Sequence, residues 1–311
     1  MKHVLEIIDL LEKPDINGFD IKEFFEEKEL LDLVEISVKR IKGSRGYTDF
    51  IKITIPGSSE SRRYSPVLGV IGRLGGLGAR PEYIGLVSDA DGAIVALATA
   101  YKIAELKSRG EALPGDVIVS THICPCAIVI PYEPAPMITS PVELYDLVKR
   151  EVDPRMNAIL SIDATKANQV IKHTGFAITP TVKEGWILKV SPDLINIYVR
   201  VTGEQPLIVP ITMQDILPYT THVYHINSMM QPWLYTSAPV VGVATTTRQV
   251  VAGNATGATN IYVLEQTTRF IVEVAKDYTS GKARFYDENE WKKIIEIHGE
   301  IKDILKKGFL S

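Results

Sequence analysis

Four apolar, β-branched segments along the chain each end in a group of polar residues. The segments cover residues 83–87, 116–120, 158–162 and 239–243. In an open α/β sheet, ligands bind outside the carboxyl ends of the strands. If the four segments are strands of one parallel sheet, the polar residues that follow them lie together at one edge. The pattern therefore predicts where a functional site lies and leaves its chemistry open.

The remaining segments follow helical and strand patterns that alternate along the chain. Helices are predicted for residues 1–33 (two short helices separated by a turn at 14–18), 91–109, 141–151, 258–279 and 287–308. Further strands are predicted for residues 34–56, with an antiparallel pair around 43–46, for 66–74 and for 181–211. This alternation predicts an α/β fold with a mixed, mostly parallel central sheet flanked by helices. No linker marks a boundary, so one domain is predicted over residues 1–311.

A glycine-rich loop covers residues 72–78 and directly follows one of the predicted strands. A phosphate-binding loop of this kind would need a Lys, a Ser or Thr and a helix that opens at once. These features are missing, so the loop is interpreted as a turn beside the site.

Charge and composition narrow the function classes. The 311 residues are 45% hydrophobic and 23% charged, with a formal net charge of −4. Nucleic-acid-binding proteins usually carry a basic excess, so no nucleic-acid partner is expected. The N-terminal residues lack the apolar core of a signal peptide, and no apolar run is long enough to span a bilayer. The cysteines Cys124 and Cys126 make no disulfide framework, which predicts a cytoplasmic location without a membrane partner.

Asp89 and Asp163 are the candidate metal ligands at the predicted sheet edge. Asp89 lies between a strand and a helix, where a carboxylate either ligates a metal or caps the helix. Asp91 is an alternative cap that would leave Asp89 available. Asp163 ends an apolar strand, and a buried carboxylate there needs a partner. That partner is a metal or, in the structural alternative, Lys166 or Lys172.

A predicted strand carries a reactive residue at every second position, namely His122, Cys124 and Cys126. Their side chains therefore share one face of the strand. Same-face positions are roughly 6.5–7 Å apart, so one tetrahedral zinc reaches all three only if Pro125 bends the strand. His122 is predicted to be a metal ligand or a catalytic group. Cys124 either shares that site, acts as a nucleophile beside His122, or is a buried cysteine that only packs.

Loop residues supply the candidate substrate-binding groups. His222 and His225 have the spacing H-x-x-H in an irregular segment, where they act as ligands or general bases or make surface hydrogen bonds. Arg248 and Asn254 follow the last predicted strand and suit recognition of an anion or a carboxylate. A salt bridge and a loop turn are their structural alternatives. Segment 215–236 is interpreted as an oligomer interface, a substrate wall or local core packing.

Three motifs resemble the dinuclear zinc aminopeptidases and related zinc exopeptidases, over roughly residues 66–278. Residues 89–92 match the Asp-x-x-Gly motif between a strand and a helix, in which the family's aspartate bridges two metals. Residues 161–165 resemble the run that delivers a later aspartate, and residues 241–248 resemble the approach to the last histidine ligand. The resemblance implies a zinc-exopeptidase-like fold, with aspartate ligands for a divalent metal such as zinc or manganese.

The chain departs from that family at the other ligand positions. The first histidine, expected after residues 67–70, is absent, the Glu-Glu pair falls near Cys124, and the final histidine falls near Val251. The inserted lid domain is also missing. Only the two aspartate positions match, so peptidase activity is not implied. At the level of the whole sequence, the chain also resembles an uncharacterised prokaryotic family, domain-of-unknown-function family 1177, through residues 82–125 and 242–259.

Two hypotheses of different classes follow. The first is a metal-assisted hydrolase or amidase of a small peptide-like or carboxylated substrate, in which the metal would lower the pKa of its bound water to about 7. The second is a non-catalytic small-molecule-binding protein on a degenerate exopeptidase scaffold, which the missing His and Glu ligands favour. A metal-free enzyme with Cys124 as nucleophile is a third. A homo-oligomer is expected because exopeptidases of this type often assemble.

Overall fold

The computed structural model describes residues 1–44, 46–58, 60–73, 75–77, 85–86, 88–125, 127–131, 137–142, 144–165, 170–211, 226, 228–249 and 259–306. Its helices are α1 (Lys2–Leu11), α2 (Gly18–Glu27), α3 (Asp91–Ser108), α4 (Leu144–Glu151), α5 (Pro192–Thr202), α6 (Ile261–Thr279), α7 (Glu288–His298) and α8 (Lys302–Lys306). Its strands are β1 (Glu35–Gly43), β2 (Gly46–Ile55), β3 (Leu68–Gly72), β4 (Val117–Ile123), β5 (Ile128–Ile130), β6 (Met137–Thr139), β7 (Ala158–Thr165), β8 (Gly175–Ile178), β9 (Thr181–Lys183), β10 (Trp186–Leu188) and β11 (Val240–Thr246). Short 3₁₀ helices lie at Leu31–Leu33, Ser88–Ala90 and Ser228–Tyr235.

Nine of the described strands form one mixed sheet, in the order β1-β2-β4-β3-β7-β11-β9-β10, with β8 also paired to β11. The central strands β4, β3, β7 and β11 run parallel to one another. Antiparallel strands extend the sheet on both sides, β1 and β2 beyond β4 and β8 to β10 beyond β11. The predicted α/β fold with a mostly parallel central sheet is confirmed.

Each face of the sheet is covered by its own apolar core. On one face, α3 is packed between the sheet and the helices α1 and α6, and its Ile94 and Leu97 are fully buried. On the other face, the Ser228–Tyr235 segment contributes Met230 and Trp233 to a second cluster. The methionine and aromatic side chains of this segment therefore pack inside the chain. No helix in the described ranges is long and apolar enough to cross a membrane.

The fourth parallel strand is β3. The apolar pattern predicts a strand there, but this strand is not one of the four that were expected to form the site. The segment that was expected there, residues 83–87, lies mostly outside the described residues. Its two described members, Gly85 and Leu86, are not in a strand. The helices predicted near residues 91–109, 141–151 and 258–279 are present as α3, α4 and α6.

The β structure predicted for residues 181–211 is wrong over Pro192–Thr202, where the chain forms α5. Proline breaks strands, but it is well placed in the first turn of a helix, where its missing N–H has no partner to lose. The Ser191 side chain caps this helix by accepting a hydrogen bond from the Leu194 backbone N–H at 3.3 Å. The C-terminal helix is also shorter than predicted, because Gly299 ends α7 with φ +74°.

A capping box begins α2. The Asn17 side chain accepts a hydrogen bond from the Phe19 backbone N–H at 2.9 Å, and the Asp20 carboxylate accepts one from the Asn17 N–H at 2.6 Å. We expect Asn17→Ala to lower the free energy of unfolding by about 1 kcal/mol, measured by urea denaturation. Asn17→Gly should cost only a few tenths of a kcal/mol. Equal losses in the two variants would show that the cap is not the cause.

Candidate functional site

The carboxyl ends of β4, β7 and β11 meet at one edge of the sheet, as the apolar pattern predicts, and β3 ends at the same edge in place of the segment at residues 83–87. We call this the carboxyl edge and define it by Arg73, His122, Asp163 and Thr246. Arg73 follows β3, and the other three residues lie at or near the ends of β4, β7 and β11. The backbone N–H of Arg73 donates to the carbonyl of Ile162 at 2.9 Å, so β3 and β7 stay paired up to this edge.

Asp89 and Asp91 approach the same edge from the face that is covered by α3. Asp89 is 9% exposed and lies in a 3₁₀ turn, while Asp91 is the first residue of α3. The capping position is Ala90, so neither aspartate occupies it. Asp91 instead accepts a hydrogen bond from the Thr245 hydroxyl on β11 at 2.7 Å. The start of α3 is thereby fixed to the end of β11.

His122 is buried and held at both ring nitrogens. Its Nε2 lies 3.3 Å from the carbonyl of Arg73, and its Nδ1 lies 2.9 Å from the Thr48 hydroxyl. The same Thr48 hydroxyl donates its single proton to the Ile123 carbonyl at 2.9 Å, so we assign the ring proton to Nδ1, which donates to the Thr48 oxygen. Burial lowers the pKa of His122 to about 4, which keeps the ring neutral at pH 7. In this arrangement the ring connects β2, β4 and the residue after β3.

The buried neutral His122 predicts a loss of stability in mild acid. Its ordinary pKa is 6.5 and its folded pKa is about 4, so between these values the unfolded chain binds a proton that the folded chain does not. The free energy of unfolding should therefore fall as the pH drops through this window, by about 3 kcal/mol for this residue. His122→Gln, which cannot titrate, should flatten the curve measured by urea denaturation between pH 7 and pH 4. Parallel curves for the two proteins would refute this origin.

The other predicted site residues are spread between the edge and the surface. Asp163 is partly buried on β7, with its Oδ1 accepting from the Ala164 backbone N–H at 2.8 Å. Cys124 is 1% exposed, and its thiol donates to the Tyr47 carbonyl at 3.6 Å. Arg248 is exposed just beyond β11. The predictions for Cys126, His222, His225 and Asn254 fall outside the described residues.

A buried ion pair at the carboxyl edge was missed by the sequence reasoning. The side chain of Arg73 is 3% exposed and that of Glu151, the last residue of α4, is 1% exposed, with Nη1 and Oε2 separated by 3.6 Å. A well-formed Arg–carboxylate pair has separations of about 2.7–2.9 Å. The Nη2 group also donates to Gln231 Oε1 at 3.3 Å. The three side chains come from three different elements.

The Arg73–Glu151 pair contains buried donors and acceptors that make no hydrogen bond to any described residue. Among the described residues, Arg73 Nε and Nη1 and both carboxylate oxygens of Glu151 have no hydrogen-bond partner. The pKa of Glu151 is raised by burial, and the Arg73 guanidinium opposes that shift. Buried polar groups are nearly always hydrogen-bonded, and exceptions call for an explanation such as a ligand, an ion or water. The pair is therefore the chemically most conspicuous feature of the edge.

A sequence signal for Arg73 did exist. Like Asp163, Arg73 is a charged residue at the end of an unbroken apolar strand. Arg73 also begins the glycine-rich loop at residues 72–78, and a loop of that composition predicts a turn. Glu151 had no such signal, since a glutamate near the end of an amphipathic helix is usually solvated.

The predicted metal ligands do not converge in the described part of the chain. No three His, Cys, Asp or Glu side chains within the described ranges lie together as a metal site requires. Asp89, Asp163 and His122 therefore form no such group, and both ring nitrogens of His122 already face protein atoms. The described residues do not fit a metal centre, and no chemical step is assigned to a metal here.

The fold is that of the aminopeptidases. A mutant of tomato leucine aminopeptidase matches 88% of this chain and 61% of its own chain, with a TM-score of 0.54 and 11% identity. The Legionella pneumophila LapA aminopeptidase matches 90% of this chain and 71% of its own, with a TM-score of 0.52 and 10% identity. The chain thus spans about three fifths of the length of the tomato enzyme. Likeness at this level of identity establishes the shared architecture alone.

The sequence itself assigns the family. The model of the protein family of unknown function DUF1177 matches residues 39–308, and the chain belongs to that family. No curated protein matches the sequence. The family match agrees with the resemblance to that family expected from the sequence. The structural matches agree with the expected resemblance to aminopeptidases.

Proposed function

We propose that this protein binds a small peptide-like or carboxylated molecule at the carboxyl edge of its parallel sheet. One observation carries the proposal: the buried Arg73 and Glu151 lie at that edge with polar atoms that have no partner among the described residues. In open α/β sheets, this edge is where ligands bind. Arginine suits the recognition of a carboxylate, because its planar fork matches the two carboxylate oxygens.

Thermal unfolding with added ligands tests this proposal. We expect the Tm to rise with at least one member of a panel of single amino acids, dipeptides and small dicarboxylates, because a ligand that binds only the folded state stabilises it. Neutral sugars of similar size are the matched control and should leave the Tm unchanged. A panel in which no carboxylated or peptide-like compound raises the Tm would contradict the proposal.

A second candidate is hydrolysis of an amide or ester bond in such a ligand. The fold shared with two aminopeptidases and the presence of Asp89, Asp91 and Asp163 near the carboxyl edge support it. A divalent metal, zinc or manganese, is part of this candidate, although the described residues do not assemble its ligand set. We assign no reaction step to the metal.

Metal content separates the two candidates. The protein is purified without chelators and without a metal-affinity tag, and its metals are measured by mass spectrometry. Near-stoichiometric zinc or manganese that is lost in Asp89→Ala would favour the hydrolase. No metal as purified and none after reconstitution would leave the binding protein as the function that the residues support.

A further inference from the structure

We propose that the Arg73–Glu151 pair is a receptor for a compact zwitterion, a molecule with a carboxylate and an ammonium group on neighbouring atoms, as in a free α-amino acid. This inference rests on the proposed function and specifies its ligand. Arg73 receives the carboxylate and Glu151 receives the ammonium group.

The separation within the pair leaves both partners available. The 3.6 Å between Arg73 Nη1 and Glu151 Oε2 exceeds hydrogen-bonding distance, and Gln231 occupies only the Nη2 side of the guanidinium. The Arg73 side chain has two donors, Nε and Nη1, that have no hydrogen-bond partner among the described residues. Both carboxylate oxygens of Glu151 are acceptors that also have no such partner. A ligand that satisfies all of them must carry acceptors and donors close together.

The opposite charges of the two side chains favour a ligand that has no net charge. Arg73 and Glu151 carry opposite charges in a site that is almost fully closed to solvent, with 3% and 1% of their side chains exposed. Adding a net charge to such a site is unfavourable, because a buried ion loses its hydration. A zwitterion adds no net charge to the site, and it places an opposite charge next to each of the two protein charges. A simple carboxylate would compete with Glu151 for Arg73 and repel it.

The scaffold fixes the positions of the two groups. The backbone N–H of Arg73 donates to the Ile162 carbonyl on β7, and the Arg73 carbonyl lies 3.3 Å from His122 Nε2. The carbonyl of Glu151 accepts a hydrogen bond from the Ser120 hydroxyl of β4 at 2.6 Å. Both side chains therefore start from backbone that is tied to the central sheet. Such preorganisation lowers the entropic cost of binding a small polar ligand.

Blocked analogues of one ligand test the inference on the unaltered protein. Individual L-amino acids are compared with their N-acetyl derivatives and their amides by thermal shift and calorimetry. We expect at least one free amino acid to bind more tightly than both blocked forms by a factor of about 10 or more, because a site built around a polar group rejects ligands that lack it. Equal binding of free and N-acetylated forms would overturn the inference.

Two conservative variants assign the roles. Glu151→Gln keeps the shape of the side chain and should reduce the preference for a free amine to about threefold or less, since the ammonium loses its counter-charge. Arg73→Lys keeps the charge but not the fork and should weaken every carboxylate ligand about tenfold. Arg40→Lys, at the Arg40–Asp49 pair on the outer strands, is the matched control and should change neither value.

The outcomes separate this inference from the proposed function. If carboxylated or peptide-like molecules bind but ignore the changes at Arg73 and Glu151, the proposed function stands and the zwitterion receptor is wrong. If no member of the panel binds the unaltered protein, both are wrong. Loss of amine selectivity in Glu151→Gln alone, with the control unchanged, supports the assignment.

Discussion

Replacing Glu151 by alanine is expected to lower the free energy of unfolding by about 3–5 kcal/mol. The change leaves the Arg73 guanidinium buried, with Gln231 as its remaining side-chain partner among the described residues. A buried charge that has lost its counter-charge destabilises the folded state far more than the pair stabilised it. Urea denaturation at pH 7, followed by circular dichroism, measures the loss.

Two controls define what that loss means. The double variant Arg73→Met with Glu151→Leu removes both charges and should recover most of the stability, since apolar replacement of a buried pair is often neutral or better. Arg269→Ala breaks an exposed pair with Glu265 on α6 and should cost no more than about 1 kcal/mol. A loss below about 1 kcal/mol in Glu151→Ala would mean that the guanidinium has other partners.

Gly72→Ala is the second variant with a large expected effect. A Cβ atom at position 72 would lie 2.3 Å from the Gly92 carbonyl oxygen and 2.8 Å from the Ala96 Cβ. These atoms belong to the body of α3, so the contact is relieved only if the helix moves away from the sheet. We expect a loss of about 3 kcal/mol in the free energy of unfolding. Weaker ligand binding should accompany it, because Arg73 directly follows the altered position.

Gly69→Ala on the same strand is the matched control. Its Cβ atom would meet the Met156 Sδ at 2.4 Å, but that atom is part of a flexible side chain that changes rotamer easily. The expected loss is about 1 kcal/mol or less. Similar losses in both variants would show that close approach of β3 to α3 is not the reason for glycine at position 72.

The location of the candidate site could be predicted from the sequence because it depends on strand direction alone. Apolar runs that end in Asp163, His122 and Thr245 identified three parallel strands, and their carboxyl ends meet as expected. The helix α5 did not follow, because Pro192 is compatible with a strand end and with a helix start. Only the cap at Ser191 distinguishes the two.

The chemistry of the site did not follow to the same extent. The role of His122 depends on Thr48, which is 74 positions earlier in the chain, and on the carbonyl of Arg73. Local spacing therefore indicated a metal box, whereas the folded chain gives the ring two protein partners. Glu151 meets Arg73 only because α4 packs over the sheet, 78 positions later, and no local pattern encodes such a contact.

The outer strands of the sheet carry a consequence for behaviour at high concentration. β1 ends the sheet on one side, and most of its side chains are exposed, including Lys39 and Lys42. Charged side chains along an edge strand oppose pairing with a strand of another molecule. On the other side, β10 has only 3 residues, too few to template a long ladder. Both borders of the described sheet therefore oppose its extension by a strand from another molecule.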